Sequence, residues 1–226
     1  MSVYIWPGEF IKEDYLQLFE EGIGEDTTYQ VRSGVRKGNI QKEIVDAVED
    51  IVSKNDLDYS DIAILYPQKD NKGERYYIQH WVKKALEKNN IPYSCVNKME
   101  NGQGVSLSNE YGVVVSSIDA IEGLEFKAVI LTGLYPCAYF GDGKGHRIKL
   151  NDWDAINELM DEQRLAIQMV LSKLYKACLR AKEVLYVIND IETDSIIDDI
   201  FCEKDEEFSD QFYDSILDDI LSSIAL

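Results

Sequence analysis

The chain reads as an α/β layered domain built on a mostly parallel sheet, and three observations carry that reading. Short apolar runs closed by turn residues recur along it, as in "DIAILYP", "YGVVVSS", "KAVILTGL" and "EVLYVI". Such near-continuous runs mark strands buried on both faces. Between them stand stretches whose apolar residues recur at helical spacing, and the two kinds of segment alternate at short intervals, as a layered α/β domain requires.

In chain order, "EFIKEDYLQLFEEG" sets Phe10, Tyr15, Leu18 and Phe19 near one face of a helix that stops at Gly22. Strand-like "TTYQVR" follows. In "NIQKEIVDAVEDIVSKN" Asn39 is placed to cap a helix that buries Ile40, Ile44, Val48, Ile51 and Val52. The strand "DIAILYP" ends at Pro67, and the polar loop "QKDNKGER" leads to a helix from about Tyr76 to Asn89. The strand "IPYSCV" and the turn-rich stretch "NKMENGQGVSLSNE" precede the strands "YGVVVSS" and "KAVILTGL". After the loop "GDGKGH" a single long helix is expected from roughly Trp153 to Ala181, and "EVLYVI" closes the series.

At Asp190 the composition changes. From there to the end stand thirteen acidic residues against one base, Lys204. We therefore divide the chain into a domain over 1–189 and an acidic tail over 190–226, whose last part, "FSDQFYDSILDDILSSIAL", has the pattern of an amphipathic helix. Such tails are most often solvated, and some mask a basic site or dock a protein partner.

The 226 residues, 45% of them hydrophobic, suffice for one good-sized core or two small ones, and one globular domain with an appendage is expected. With 42 Asp and Glu against 23 Lys and Arg the net charge is −19, which disfavours non-specific binding to polyanions. Cys95, Cys137, Cys178 and Cys202 form no C-x-x-C pair, so neither zinc nor a disulfide framework is indicated and no metal ligands are assigned. No run of 18 apolar residues and no signal-like segment occurs, so a cytoplasmic protein without membrane contact is expected.

Two stretches carry chemistry. In "SSIDAIEGLEFKAVIL" a glycine and a carboxylate separate two core strands, and in "LYKACLRAKEVLYVI" an arginine stands between a helix and a strand. Taken singly, Glu125 reads as a solvated loop residue and Arg180 as a cation at a helix C-terminus. Taken together, in this order, and with "DIAILYPQKDNKGERYYIQHWVKKALEKNNIPYSCV" before them, they resemble the second RecA-like motor domain of UvrD/Rep-type superfamily 1 DNA helicases. The first stretch resembles that family's motif V and the second its motif VI, and the resemblance covers about Asp61 to Ile188.

The resemblance implies a three-layer, RecA-like fold of the P-loop NTPase kind. It implies ATP with magnesium as the nucleotide, the metal ligands coming from a first motor domain in the same or another chain. Arg180 would be an arginine finger, a role suited to a group that stays charged and offers a planar donor fork. Glu125 would accept a hydrogen bond from the ribose, and Gly123 would let the backbone turn tightly beside it. Arg32, in "YQVRS", corresponds to a further γ-phosphate contact. Ser117, Ile118 and Gln68 correspond to positions along a single-stranded DNA track.

The departures from the family pattern fall mainly on the DNA side. Asp119 and Glu122 replace a histidine and a lysine, Leu179 replaces a threonine, and Tyr66-Pro67 stands where Tyr-Arg is usual. No G-x-x-x-x-G-K-[ST] loop occurs and no Walker B pair follows a strand, so the chain carries half of an ATPase site and is not expected to hydrolyse ATP alone. Two functions follow: the second motor domain of an ATP-dependent helicase, or a helicase-like domain without catalysis that serves as a protein-interaction module.

Overall fold

The computed structural model describes residues 8–67, 78–98, 105–108, 111–121, 123–141, 147–191 and 194–202. Helix α1 (Lys12–Ile23) leads to β1 (Thr28–Arg32), α2 (Ile40–Asn55) to β2 (Ile62–Tyr66), and α3 (Ile78–Lys88) to β3 (Tyr93–Lys98). Strands β4 (Val105–Leu107), β5 (Val113–Ser117) and β6 (Phe126–Leu131) follow, then the short pair β7 (Tyr139–Gly141) and β8 (Arg147–Lys149). Helices α4 (Trp153–Asn157) and α5 (Asp161–Cys178), strand β9 (Ala181–Ile188) and α6 (Ile196–Ile200) complete the described chain.

Seven strands form one sheet in the order β1-β9-β6-β2-β5-β3-β4, parallel throughout except for β4, which runs antiparallel to β3 at the edge. The three-layer α/β architecture expected from the sequence is present. Its physical cause is visible in β2, where every residue is buried. Ala63 and Leu65 join a core with Tyr15 and Phe19 of α1 and with Ile167, Leu171 and Leu174 of α5. Ile62, Ile64 and Tyr66 point the other way and join Ile40, Ile44, Val48 and Ile51 of α2 with Val82 and Leu86 of α3. Period-two alternation into two apolar layers is what a sheet covered on both faces demands.

Three expectations change in detail, the first in that α1 runs through Gly22 to Ile23 and has Gly24 at its C-cap. Asn39 occupies the N-cap of α2, but its side chain makes no capping hydrogen bond; its backbone carbonyl accepts from the N–H groups of Lys42 (2.9 Å) and Glu43 (3.0 Å) instead. The long helix is two helices. Asp152 caps α4, its Oδ1 accepting from the N–H of Asp154 at 2.9 Å, and Met160 is extended (φ −61°, ψ 150°) before α5 begins. Asn157 at the end of α4 takes the Phe10 N–H on its Oδ1 at 2.8 Å, a contact with a residue 147 positions away in the sequence.

Composition changes at Asp190, but burial does not. Ile191, Ile196, Ile197, Ile200 and Phe201 are all in the core, and Phe201 meets Phe19 edge-on with ring centroids 5.7 Å apart. Three acids of this stretch, Asp190, Asp198 and Asp199, are tied in. Asp190 accepts from the Tyr135 N–H at 2.9 Å, and Asp199 takes both Lys12 (2.8 Å) and the Trp153 indole N–H (2.7 Å). Asp198 accepts from the Asn189 side chain, and burial raises its pKa above the ordinary carboxylate value. The packed fold therefore runs on to Phe201, past the boundary drawn at 189. Residues 203–226, with the amphipathic pattern, lie outside the described residues, as do most of "GDGKGH" and the loop that holds Gln68. Among the described residues no helix is long and apolar enough to cross a membrane.

Candidate functional site

Strands β6 and β9 lie side by side with Phe126 opposite Ala181. The residues that precede them, Glu125 and Arg180, are brought together by that register at the amino edge of the sheet. Between the end of α5 and the start of β9 stand only Leu179 and Arg180. The Arg180 N–H donates to the Ala177 carbonyl at 3.1 Å, and its own carbonyl accepts from the Phe126 N–H at 2.9 Å. Helix and sheet thus hold the Arg180 backbone from both sides while its side chain stays partly exposed.

The ladder is irregular at this point. Between the pairs Phe126↔Ala181 and Ala128↔Val184, β9 advances three residues and β6 two, so the extra residue falls at Lys182 or Glu183. A bulge re-aims the side chains beside it. Here the Lys182 ammonium donates to Glu125 Oε2 at 2.7 Å, with both side chains more than half exposed. Lys182 first, and Arg180 after it, hold the Glu125 carboxyl below its ordinary pKa. Glu125 is therefore an ionised acceptor, and a carboxylate engaged through one oxygen keeps a second for another donor.

Gly123 has φ +85°, the left-handed region that favours glycine, and a Cβ there would meet no atom within 4 Å. The requirement is conformational: the turn closes through the Leu124 N–H to the Ile121 carbonyl at 3.0 Å and delivers Glu125 to the start of β6. Leu124 and Leu179 beside the two charged residues are exposed at 39% and 36%, which leaves an apolar rim around the cations. Lys127, one residue into β6, pairs with Asp61 at 3.2 Å at the start of β2.

The other sequence-derived residues stand elsewhere. Arg32 ends β1 opposite Ile188, so it lies at the carboxyl edge. Seven residues of β9 separate that level from Ala181, about 23 Å at 3.3 Å per residue. The structure does not bring Arg32 together with Glu125 and Arg180. Its Nε donates to the Tyr186 hydroxyl at 3.1 Å, and it lines an open cavity of about 310 Å³ with Ser33, Gly34, Arg36, Asn39 and Glu43.

Ser117 ends β5 at the carboxyl edge and is 7% exposed, beside Tyr66 of β2 in the register. The Ser116 hydroxyl donates to the Ser117 carbonyl at 3.0 Å. Ile118 begins a 3₁₀ turn (Ile118–Ala120) with its side chain in the core, so a ligand would meet only its backbone. Gln68 and Glu122 lie outside the described residues. Asp119, which replaces a histidine of the resembled motif, pairs with Lys173 of α5 at 2.7 Å, so its charge is largely matched. That pairing spans 54 residues and is invisible in the local sequence.

The stretch from Ser117 to Glu125 therefore connects two edges of the sheet. Because β5 and β6 run parallel, residues 118–125 must return over the length of β6, about 17 Å, and eight residues reach at most about 26 Å. Ser117 and Glu125 therefore stand at opposite ends of a crossover that joins the two edges. The general expectation that ligands sit at the carboxyl ends of parallel strands fits Arg32 and Ser117; the group around Arg180 sits at the opposite edge. Lys182 joins that group without a signal in the sequence, because a bulge depends on the register against a strand that is distant in the sequence. Among the described residues no three of His, Cys, Asp and Glu come together as a metal site.

No protein-family description matches the chain, and no curated protein does. Among solved structures, the chain is similar to the C-terminal domain of a possible DNA helicase from Lactobacillus plantarum WCFS1. The TM-score is 0.43 and the identity 17%, over 80% of this chain and 86% of that one.

Proposed function

We propose that this chain is the second motor domain of an ATP-dependent DNA helicase or translocase of the UvrD/Rep type, completing an ATP site whose other half comes from a first motor domain. The observation that carries the reading is the juxtaposition of Arg180 and Glu125 at the starts of β9 and β6, joined by the Phe126 N–H to the Arg180 carbonyl at 2.9 Å. In such a site Arg180 places a permanent positive charge against the developing charge on the γ-phosphate oxygens, and preorganised charge of this kind is the main protein contribution to phosphoryl transfer. Glu125 accepts a ribose hydroxyl, and the left-handed turn at Gly123 sets the approach. Magnesium would neutralise phosphate charge when bound, its ligands coming from the first domain.

Single-stranded DNA passes the carboxyl edge, where Ser117 offers a hydroxyl and Ile118 a backbone N–H. The Lys173 partner of Asp119 removes much of the repulsion that the bare sequence suggests. Arg32, at that same edge, is better placed for a nucleic-acid phosphate than for the nucleotide held by Arg180. Closure of the two domains on ATP couples the edges.

The test is ATP turnover by the motor assembled with its first domain, in the presence of single-stranded DNA. Arg180→Ala is expected to lower kcat on the order of a thousandfold, with Arg180→Lys recovering only part of it. Turnover within about tenfold of the parent would remove the finger assignment. The net charge of −19 favours a second reading, an interaction module without catalysis. That reading gains if the assembled complex neither hydrolyses ATP nor binds single-stranded DNA with salt-dependent affinity.

A further inference from the structure

We propose that Lys182 is a positioning residue of the nucleotide site, holding the Glu125 carboxylate by one oxygen so that the other faces the ribose. The proposal rests on the reading of the amino edge as the ATP-facing edge, and extends it to a residue outside the motif resemblance. Three observations carry it. Glu125 lies outside the strands, between the turn at Gly123 and the first residue of β6, so the backbone alone does not select one side-chain rotamer. Its ion-pair partner among the described residues is Lys182, at 2.7 Å. Lys182 in turn is delivered by the irregular register of β9 against β6, immediately after the Arg180-Ala181 pair whose backbone is tied to helix and sheet.

The chemistry follows from donor and acceptor counts. An ammonium has three donors and no acceptor, so it anchors a carboxylate without competing for the ribose hydroxyl. A side chain that is already ordered loses less freedom when the ligand binds, and the gain appears as ground-state affinity. Loss of such an anchor raises KM and leaves the chemical step alone. An exposed ion pair adds little to folding stability, so the pair's effect is read in nucleotide recognition. Replacing Lys182 leaves the bulge in place, because the extra residue remains.

Two measurements test the proposal. In the assembled motor, Lys182→Met is expected to raise KM for ATP about three- to tenfold, with the effect on KM and not on kcat. The same change should leave KM unaltered for a dideoxy-ATP lacking both ribose hydroxyls, and Lys182→Arg should restore the ATP value. An ATP KM within about twofold of the parent, or an equal rise for both nucleotides, overturns the role of Lys182. Glu125→Gln separates this failure from a deeper one. If it raises the ATP KM while Lys182→Met does not, the Lys182 proposal falls and the nucleotide site stands; if neither Glu125→Gln nor Arg180→Ala alters turnover, the site and the proposal fall together. On the 226-residue chain itself, carboxyl-carbon NMR titration should show the Glu125 midpoint moving upward in Lys182→Met. An unmoved midpoint means that the pair is absent in solution, and the proposal with it.

Discussion

Phe201 stands eleven residues beyond the point where the composition turns acidic, yet its side chain is 0% exposed and packs edge-on against Phe19 at 5.7 Å. Replacing it with alanine removes a buried ring from the layer that α1, α5 and α6 share on one face of the sheet. Truncation of a buried phenylalanine costs about 3–5 kcal/mol, including the cavity left behind. With a urea m-value of about 2 kcal/mol/M, the unfolding midpoint should fall by roughly 1.5–2.5 M at unchanged m. Deleting everything after Asn189 goes further, because Ile191, Ile196, Ile197 and Ile200 leave with Phe201. At about 1.5–3 kcal/mol for each buried side chain, the loss matches the whole stability of an ordinary domain, about 5–15 kcal/mol. The shortened chain should not give a cooperative urea transition followed by tryptophan fluorescence. A loss below about 1 kcal/mol for Phe201→Ala, or a cooperative transition for the deletion, would show that this stretch is an appendage, and the extension of the fold past 189 would be refuted.

Gly123→Ala should destabilise the chain by about 1–2 kcal/mol, purely from backbone strain at φ +85°, since no atom stands within 4 Å of the new methyl; an unchanged urea midpoint would place the turn in another conformation. Asp198 has a folded pKa raised by burial, so its contribution to stability is fully present below the unfolded pKa and is lost as pH rises through the folded one. Asp198→Asn, neutral throughout, should therefore gain on the parent as pH rises across the acid range in paired urea titrations. The gain should be small, because the group is only partly buried; a difference independent of pH would contradict the assigned cause.

The fold was legible where one local pattern had one structural solution. The apolar runs of β2, β5, β6 and β9 are buried on both faces and could not have been surface strands, and Ile40, Ile44, Val48 and Ile51 left α2 only one face to bury. The break between α4 and α5 was not legible, because no glycine or proline marks it, and the contact of Asn157 with the Phe10 backbone joins residues far apart in the sequence. The acidic count after Asp190 misdirected the boundary, because charge in sequence does not tell whether a carboxylate meets water or an indole N–H and an ammonium, as Asp199 does.

For the site the division is similar. The amino-acid sequence by itself determined which residues are candidates for the site, since the identities and spacing around Gly123, Glu125 and Arg180 need no partner to be read. Only the tertiary structure decided which of them meet. Connections between parallel strands run from the carboxyl edge back to the amino edge, so Glu125 and Arg180, each just before a strand, converge, while Arg32 and Ser117, each at a strand's end, are left at the opposite edge. The register of β9 against β6 supplied Lys182 to Glu125, and the packing of α5 beside the 3₁₀ turn supplied Lys173 to Asp119, because those pairings depend on which elements become neighbours in the fold.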